Sequence, residues 1–479
     1  MHFRKSRLTE TLAAAAMALP IALAGCEGAT EEGTPGETVQ IAAASAATAA
    51  LTSSNLTQVY TNGAGTHQTF SSTGNVSTSN PFFQSLGTNG RACASCHQPS
   101  AAWGITPTQV QKVFNATNGT DPIFRTNDGS NAPNLPVATL AQRQSAYSLL
   151  LSRGTIRVGL PIPANAEFDL VLVEDPYHFA TAGELSLFRR PLPSTNLKFL
   201  ATVMWDGRET AAGHTIAQDL AQQSIDATLG HAQATSAPTA AQQQAIVDFE
   251  SALFTTQVSD NRAGSLTAAG ATGGPVNLSA QPFHIGINDV LGADPAGTPF
   301  STHVFSLYDA WASQTGSGQP AARASIARGE NIFNTRQFTI AGVRGVNDAL
   351  GVANLPGTCT TCHDAPNAGD HSVGLPLDLG LTDPNTFNTD TTPRYTLRNK
   401  TTGETIRTSD PGRALIDGKW AHVATFKGPI LHGLAARPPY FHNGFAATLP
   451  DVVKFYDTRF HIGLNAQDAT DLSNFLAAL

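Results

Sequence analysis

Cys93-Ala94-Ser95-Cys96-His97 and Cys359-Thr360-Thr361-Cys362-His363 are two copies of one pentapeptide, C-x-x-C-H. Two thiols three positions apart, followed at once by an imidazole, form the attachment signature of a c-type haem. The sulfurs add across the haem vinyl groups as thioethers, and the histidine gives a nitrogen to one face of the iron. Zinc is the competing use of two C-x-x-C pairs, bound in a single four-thiolate site. Zinc pairs are usually about 15–20 residues apart. Here residues 98–358 intervene, and zinc leaves the histidine after each pair unexplained. The chain therefore reads as carrying two covalently attached haems. What each does depends on the other face of its iron.

Composition narrows the class. The chain has 479 residues, enough for two or three domains at about 100–200 residues each. Charged residues make up 13%, against a usual figure of about 25%, so Ser, Thr, Asn and Gln must carry much of the surface. Net charge is −8 and no Lys/Arg block occurs, which argues against nucleic-acid binding. Arg4, Lys5 and Arg7 precede a short apolar run, Leu12 to Ala24, too short to span as a membrane helix. The run ends Leu23-Ala24-Gly25-Cys26, which resembles a bacterial lipobox. Residues 1–25 are expected to be a lipoprotein-type signal and Cys26 the acylated N-terminus, anchored by more than one chain. An ordinary secretory signal with an incidental cysteine is the other reading. Both place the mature protein outside the cytoplasm, in the periplasm.

Cysteine and methionine counts sharpen this. Five cysteines are divided between one lipid and two haems, leaving none for a disulfide. Of three methionines, Met1 and Met17 lie in the signal, so the mature chain keeps only Met204. A His/Met haem, the common electron carrier, then requires Met204 itself.

Residues 26–60 read as a flexible tether, being poor in large apolar residues. Thr106-Pro107 predicts a helix with Val110, Val113 and Phe114 inward. Thr139 predicts another, with Leu140, Tyr147, Leu150 and Leu151 inward and Gly154 as its stop. Ile156, Val158 and Leu160 alternate, as do Phe168, Leu170 and Leu172, which predicts a small β-hairpin insert. Thr239 begins a helix bearing Ile246, Phe249 and Leu253. Residues 256–300, rich in Gly, Ala, Thr and Pro, read as an irregular inter-domain connection. Ala322, Ile326, Gly329 and Phe333 predict a helix ahead of the second motif. Thr448 and Asn465 cap two final helices, one with Val452, Val453, Phe455 and Tyr456, the other with Leu472, Phe475, Leu476 and Leu479. The expectation is a mainly α protein of two cytochrome c-like haem domains, 61–300 and 301–479.

Four motifs in order resemble the bacterial diheme cytochrome c peroxidases and their MauG-like relatives. They are Cys93–His97, Met204-Trp205-Asp206-Gly207-Arg208-Glu209, Cys359–His363 and Pro439-Tyr440-Phe441-His442-Asn443-Gly444. The resemblance spans roughly residues 80 to 479. It implies that the first haem has an open face for hydrogen peroxide and that the second is six-coordinate. In the family the second ligand lies fourteen residues after the histidine of the last motif, as methionine in peroxidases and tyrosine in MauG-like enzymes. Counting from His442 gives Tyr456. A phenolate is a strong anionic donor that favours the oxidised iron. The diferric protein is then expected to react with peroxide without prior reduction, the two oxidising equivalents being shared between haems. Trp205 matches the tryptophan that sits between the haems, with Asp206 and Arg208 as groups that orient it or meet a propionate.

The peroxide pocket departs from the family. Its glutamine and glutamate would fall ten and twenty residues after Trp205, yet Thr215 stands at the first of these. Gln222 and Gln223, then Asp226, His231 and Gln233, look like the same region shifted, and Gln233 cannot act as a base. His231 is the preferred acid/base, with Gln222, Gln223 and Asp226 as helpers. No histidine lies between His97 and His178 to cap the first haem. The resemblance also implies calcium held by the carbonyls of Arg437 and Pro439. The expected activity is reduction of hydrogen peroxide with electrons from a small periplasmic donor, a c-type cytochrome or cupredoxin. The alternatives are MauG-like oxidation of a protein partner and a non-enzymatic diheme electron-transfer cytochrome. Diheme oxygenase chemistry on a hydrocarbon is a further, weaker one.

Overall fold

The computed structural model describes residues 58–74, 77–283, 287, 290–291, 301, 303–370, 376–386 and 391–479. The signal, Cys26 and nearly all of the tether lie outside them. Residues 44–479 cluster as one unit. Among the described residues no helix is long and apolar enough to cross a membrane.

Among the described residues the fold is mixed α/β rather than mainly α, with 33% helix and 16% strand in four separate sheets. The first sheet runs β1 (Val59–Thr61), β2 (Gly65–Ser71), β6 (Leu253–Asp260), β7 (Gly264–Ser265). The second runs β11 (Thr405–Thr408), β10 (Arg394–Asn399), β4 (Phe168–Glu174). The other two are pairs: β3 (Ile156–Leu160) with β5 (Leu185–Arg189), and β8 (Phe338–Ala341) with β9 (Asn354–Gly357).

The predicted hairpin does not form. Both of its strands exist, but β3 pairs with β5 and β4 pairs with β10, more than 220 residues away (Phe168 opposite Asn399). Alternation fixes which side chains share a face, not which strand lies alongside. The intervening Pro161 to Ala166 also lacks the two-residue turn chemistry that joins neighbours. Leu172 is exposed on an edge strand, while Phe168 at the other end of the alternation is buried. The supposed irregular connection opens with β6, a central strand whose first five residues are all buried.

Helix punctuation was read more accurately, because capping is local. Thr106, Thr139, Thr239 and Thr448 each cap a helix as expected, with a side chain at N3 returning the bond, and Thr215, which was not expected to, does the same. The segment after Thr139 breaks at Tyr147 into Leu140–Ala146 and Ser148–Arg153. Leu140 there is exposed, not inward. The helices Gln319–Thr335 and Ala466–Ala477 pack through Gly329, where a Cβ would lie 2.0 Å from the Asp471 carbonyl oxygen. One core joins Ile326 and Phe333 to Leu472 and Phe475, and also takes in Ala263 and Leu266 from before residue 301.

Candidate active site: two thiol-lined cavities with a common wall

Each C-x-x-C-H folds as the same turn. His97 N–H bonds the Cys93 carbonyl at 3.0 Å, and His363 N–H bonds the Cys359 carbonyl at 3.0 Å. Hydroxyls lock both turns, Ser95 Oγ on Ala92 N–H at 3.1 Å and Thr361 Oγ1 on Thr358 N–H at 2.9 Å. Two thiols and one imidazole thereby face a single cavity. Cys93, Cys96 and His97 line the first and Cys359, Cys362 and His363 the second, each of about 170 Å³. None of the four cysteines is in a disulfide. The pairs open onto different cavities, and among the described residues no three His, Cys, Asp or Glu converge on a shared ion position. A single tetrathiolate zinc site is not what they build.

Each imidazole is fixed through Nδ1. His97 Nδ1 lies 3.0 Å from the Trp103 carbonyl and 3.0 Å from Ser194 Oγ, and His363 Nδ1 lies 2.6 Å from the Gly369 carbonyl. That bond selects the tautomer whose Nε2 carries the lone pair, as in metal-ligating histidines.

The helix Ile216–Gly230 lays Leu220, Gln223, Ser224, Ala227 and Thr228 along the first cavity, with His231 at its C-cap. Gln222 and Asp226 fall on its exposed face, bonded to each other at 3.1 Å, and do not line the cavity. His231 Nδ1 is 2.5 Å from Asp128 Oδ2, and Arg91 pairs with the other oxygen of that carboxylate. Burial alone would raise the Asp128 carboxyl, but Arg91 and His231 hold it below its ordinary value. Sequence reading missed Asp128, whose only trace is a position in the loop Asn127-Asp128-Gly129. Glu250, also missed, lines the same cavity. Burial pushes it up to about 7 although a Ser194 hydroxyl bond pulls it down, and its Oε2 has no partner among the described residues.

Met204 lines the first cavity and is absent from the lining of the second. The helix Leu449–Phe460 presents Leu449, Val452, Val453, Tyr456 and Phe460 to the second, at helical spacing. Burial raises the Tyr456 phenol, and the nearby Cys362 and Cys359 add to the rise.

Trp205, Arg190, Pro191, Leu192 and Lys427 line both cavities and form their common wall. Trp205 Nε1 donates to the Arg190 carbonyl at 2.7 Å, and Lys427 N–H donates to the Trp205 carbonyl at 2.9 Å. His442 stacks on Phe426 at 4.0 Å and meets the Trp205 indole edge-on at 6.0 Å. Asp206 is held by Arg189 and Arg208, while Arg208 also lines the first cavity. Asp206 thus anchors the turn that carries Trp205.

The wall is rich in buried cations. Arg190 donates to the carbonyls of Arg153 and Ile105, each at 2.7 Å, and of Arg437 at 3.2 Å. Arg437 donates to the Ile430 and His432 carbonyls, and Lys427 Nζ to that of Gly428 at 2.8 Å. Burial lowers Arg190 to about 9, helped by Arg437, and lowers Arg437 to about 10. Burial also lowers Lys427, although Asp370 favours its charge. The buried Arg437 Nε and His442 Nε2 have no partner among the described residues. The buried guanidinium and ammonium groups call for anions, and acidic side arms on a bound group would meet them. A covalently attached haem therefore fits these residues. Calcium does not fit as expected: Pro439 and Arg437 lie at the second cavity, but the Arg437 carbonyl already faces the Arg190 guanidinium.

Comparison with known proteins adds a partial match. No family model matches the chain. It is 30% identical over 136 residues to a cytochrome-c peroxidase of Denitromonas iodatirespirans. The likeness is to a peroxidase. It covers 25% of this chain and 36% of that relative's length.

Proposed function

We propose that the chain is a diheme c-type peroxidase, exported and lipid-anchored through Cys26, that reduces hydrogen peroxide with electrons from a small periplasmic donor. The observation that carries this is the shared wall: two C-x-x-C-H turns open onto separate cavities, and one indole borders both. The partial likeness to a cytochrome-c peroxidase points the same way. Cys93, Cys96 and His97 would hold one haem, Cys359, Cys362, His363 and Tyr456 the other. The haem at the first cavity, when bound, supplies the iron at which the peroxide O–O bond is cleaved.

The chain's own part is proton handling and electron routing. Asp128 accepts a hydrogen bond from His231 Nδ1–H, which leaves His231 Nε2 as the base facing peroxide. His231 takes a proton from one peroxide oxygen and returns it to the other as the bond breaks. Two further protons and two electrons complete reduction to two waters. Trp205 carries electrons across the wall, with His442 against its edge.

Two second readings each have an observation behind them. Tyr456 in the second cavity suits storage of oxidising equivalents, hence oxidation of a protein partner. Met204 in the first cavity suits a closed electron-transfer haem. Stopped-flow mixing of the fully oxidised protein with peroxide, without reductant, separates them. An immediate change in the haem spectrum is expected, followed by return to rest on adding a reduced donor cytochrome. No change until one haem is reduced would overturn the direct mechanism.

A further inference from the structure

Met204 stands where the apolar core meets the first cavity. It packs against the buried cluster that includes Leu197, Leu200, Val203 and Leu220, and it lines the cavity, as His231 does. Its backbone is pinned. The φ of +68° is left-handed, uncommon for a residue other than glycine. The Met204 carbonyl accepts the Gly207 N–H at 3.2 Å, and Val203 N–H donates to Thr210 Oγ1 at 2.8 Å. The turn held in this way carries Trp205, Asp206 and Arg208. A thioether sulfur is soft and is oxidised by peroxide to a polar sulfoxide. In the exported chain Met204 is the only methionine. The single sulfur of this kind therefore borders the cavity to which peroxide reduction is assigned above.

We propose that Met204 is a modification site that limits turnover: when peroxide outruns the electron donor, its sulfur takes one oxygen atom from peroxide and the sulfoxide uncouples the two cavities. The sulfur lone pair attacks one peroxide oxygen and the O–O bond breaks. The departing hydroxide takes the proton from the new sulfur-bound hydroxyl and leaves as water. Sulfur loses two electrons and peroxide gains them, so no further reactant is needed. A sulfoxide oxygen accepts hydrogen bonds, and Leu197, Leu200 and Leu220 offer none. The donor at hand is Arg208, which lines the same cavity and holds Asp206 at 3.2 and 3.1 Å. Drawn to the sulfoxide, Arg208 releases Asp206 and loosens the turn that sets Trp205 in the common wall. The proposal rests on the peroxidase reading, which is what brings peroxide to this cavity.

The test exposes full-length holoprotein to hydrogen peroxide, with and without a reduced c-type cytochrome, and with N-acetylmethionine in the same tube. Peptide mass spectrometry reads oxygen gained at Met204, and peroxide turnover is measured after the excess is removed. Without donor, Met204 is expected to oxidise about tenfold or more faster than N-acetylmethionine, as a reactant held beside bound peroxide should. Turnover should fall in proportion to the oxidised fraction, and the donor should suppress both changes. Met204→Leu should keep its own starting turnover through the same exposure. Met204→Gln, which puts a polar group at the position without any oxidation, should attach both haems yet leave the second haem's ferric signal standing after peroxide. Oxidation no faster than that of N-acetylmethionine, or equal inactivation of wild type and Met204→Leu, would overturn the proposal, as would a wild-type response in Met204→Gln. An untreated wild-type protein that neither turns over peroxide nor changes its haem spectrum would instead sink the peroxidase reading.

Discussion

Trp205 Nε1 donates to the carbonyl of Arg190 at 2.7 Å, and both residues border both cavities. The bond fixes the indole plane in the wall that any electron moving between the two sites must cross. Trp205→Phe removes it and leaves the Arg190 carbonyl unpaired, at a stability cost of about 1 kcal/mol. Both haems should still attach. After peroxide, the second haem should no longer share the oxidation, seen as persistence of its ferric signal while the first is lost.

His231→Gln should slow the first reaction with peroxide by about 10²–10⁴-fold, the usual worth of a positioned acid/base. Asp128→Asn should slow it less, because it spoils only the tautomer and orientation of His231. Rapid-mixing spectroscopy checks both. An unchanged rate in His231→Gln would move the proton-handling role elsewhere in the cavity.

The Asp206 carboxylate makes stability depend on pH. Burial would raise it, but Arg189 and Arg208 hold it at about 2, below its ordinary 3.8. Because the folded value is depressed, the contribution is present above about pH 4 and is lost as pH falls toward 2. It is on the order of 2 kcal/mol. Urea midpoints measured between pH 6 and 2.5 should show the loss, and Asp206→Asn should flatten that part of the curve.

Arg189→Leu should destabilise by roughly 3–5 kcal/mol at neutral pH, since it takes the guanidinium from the buried Asp410 carboxylate and leaves Asp206 with Arg208 alone. The loss should shrink in acid as Asp206 protonates.

Gly329→Ala should cost about 1–3 kcal/mol or more, because the new methyl meets the Asp471 carbonyl at 2.0 Å and the Phe475 Cβ at 2.7 Å. Ala324→Gly, on the same helix, should cost only about 1 kcal/mol of propensity plus the small burial of one methyl. Paired thermal melts compare them.

What could be read in advance was local. A threonine followed three positions on by Gln or Asp announces a helix start wherever the chain later goes, and the four read so, at Thr106, Thr139, Thr239 and Thr448, do begin helices. Tyr456 could be placed by counting, because one helix face carries it into the same cavity as Cys359 and His363. Pairings across long separations were not legible. Nothing in the alternation of Phe168, Leu170 and Leu172 names Arg394–Asn399 as the neighbouring strand. The Asp128–His231 contact spans 103 positions, and the Ser194–His97 contact spans 97. Gln222 and Asp226 were candidates by sequence distance from Trp205, but helical phase turns them to solvent while Gln223 faces the cavity.

The most direct measurement is the electron paramagnetic resonance spectrum of the fully oxidised protein before and after one equivalent of peroxide, with Tyr456→Phe alongside. The account predicts one high-spin and one low-spin ferric signal at rest, both diminished by peroxide, and conversion of the low-spin signal to high-spin in Tyr456→Phe. Two low-spin signals indifferent to peroxide and to that substitution would contradict it.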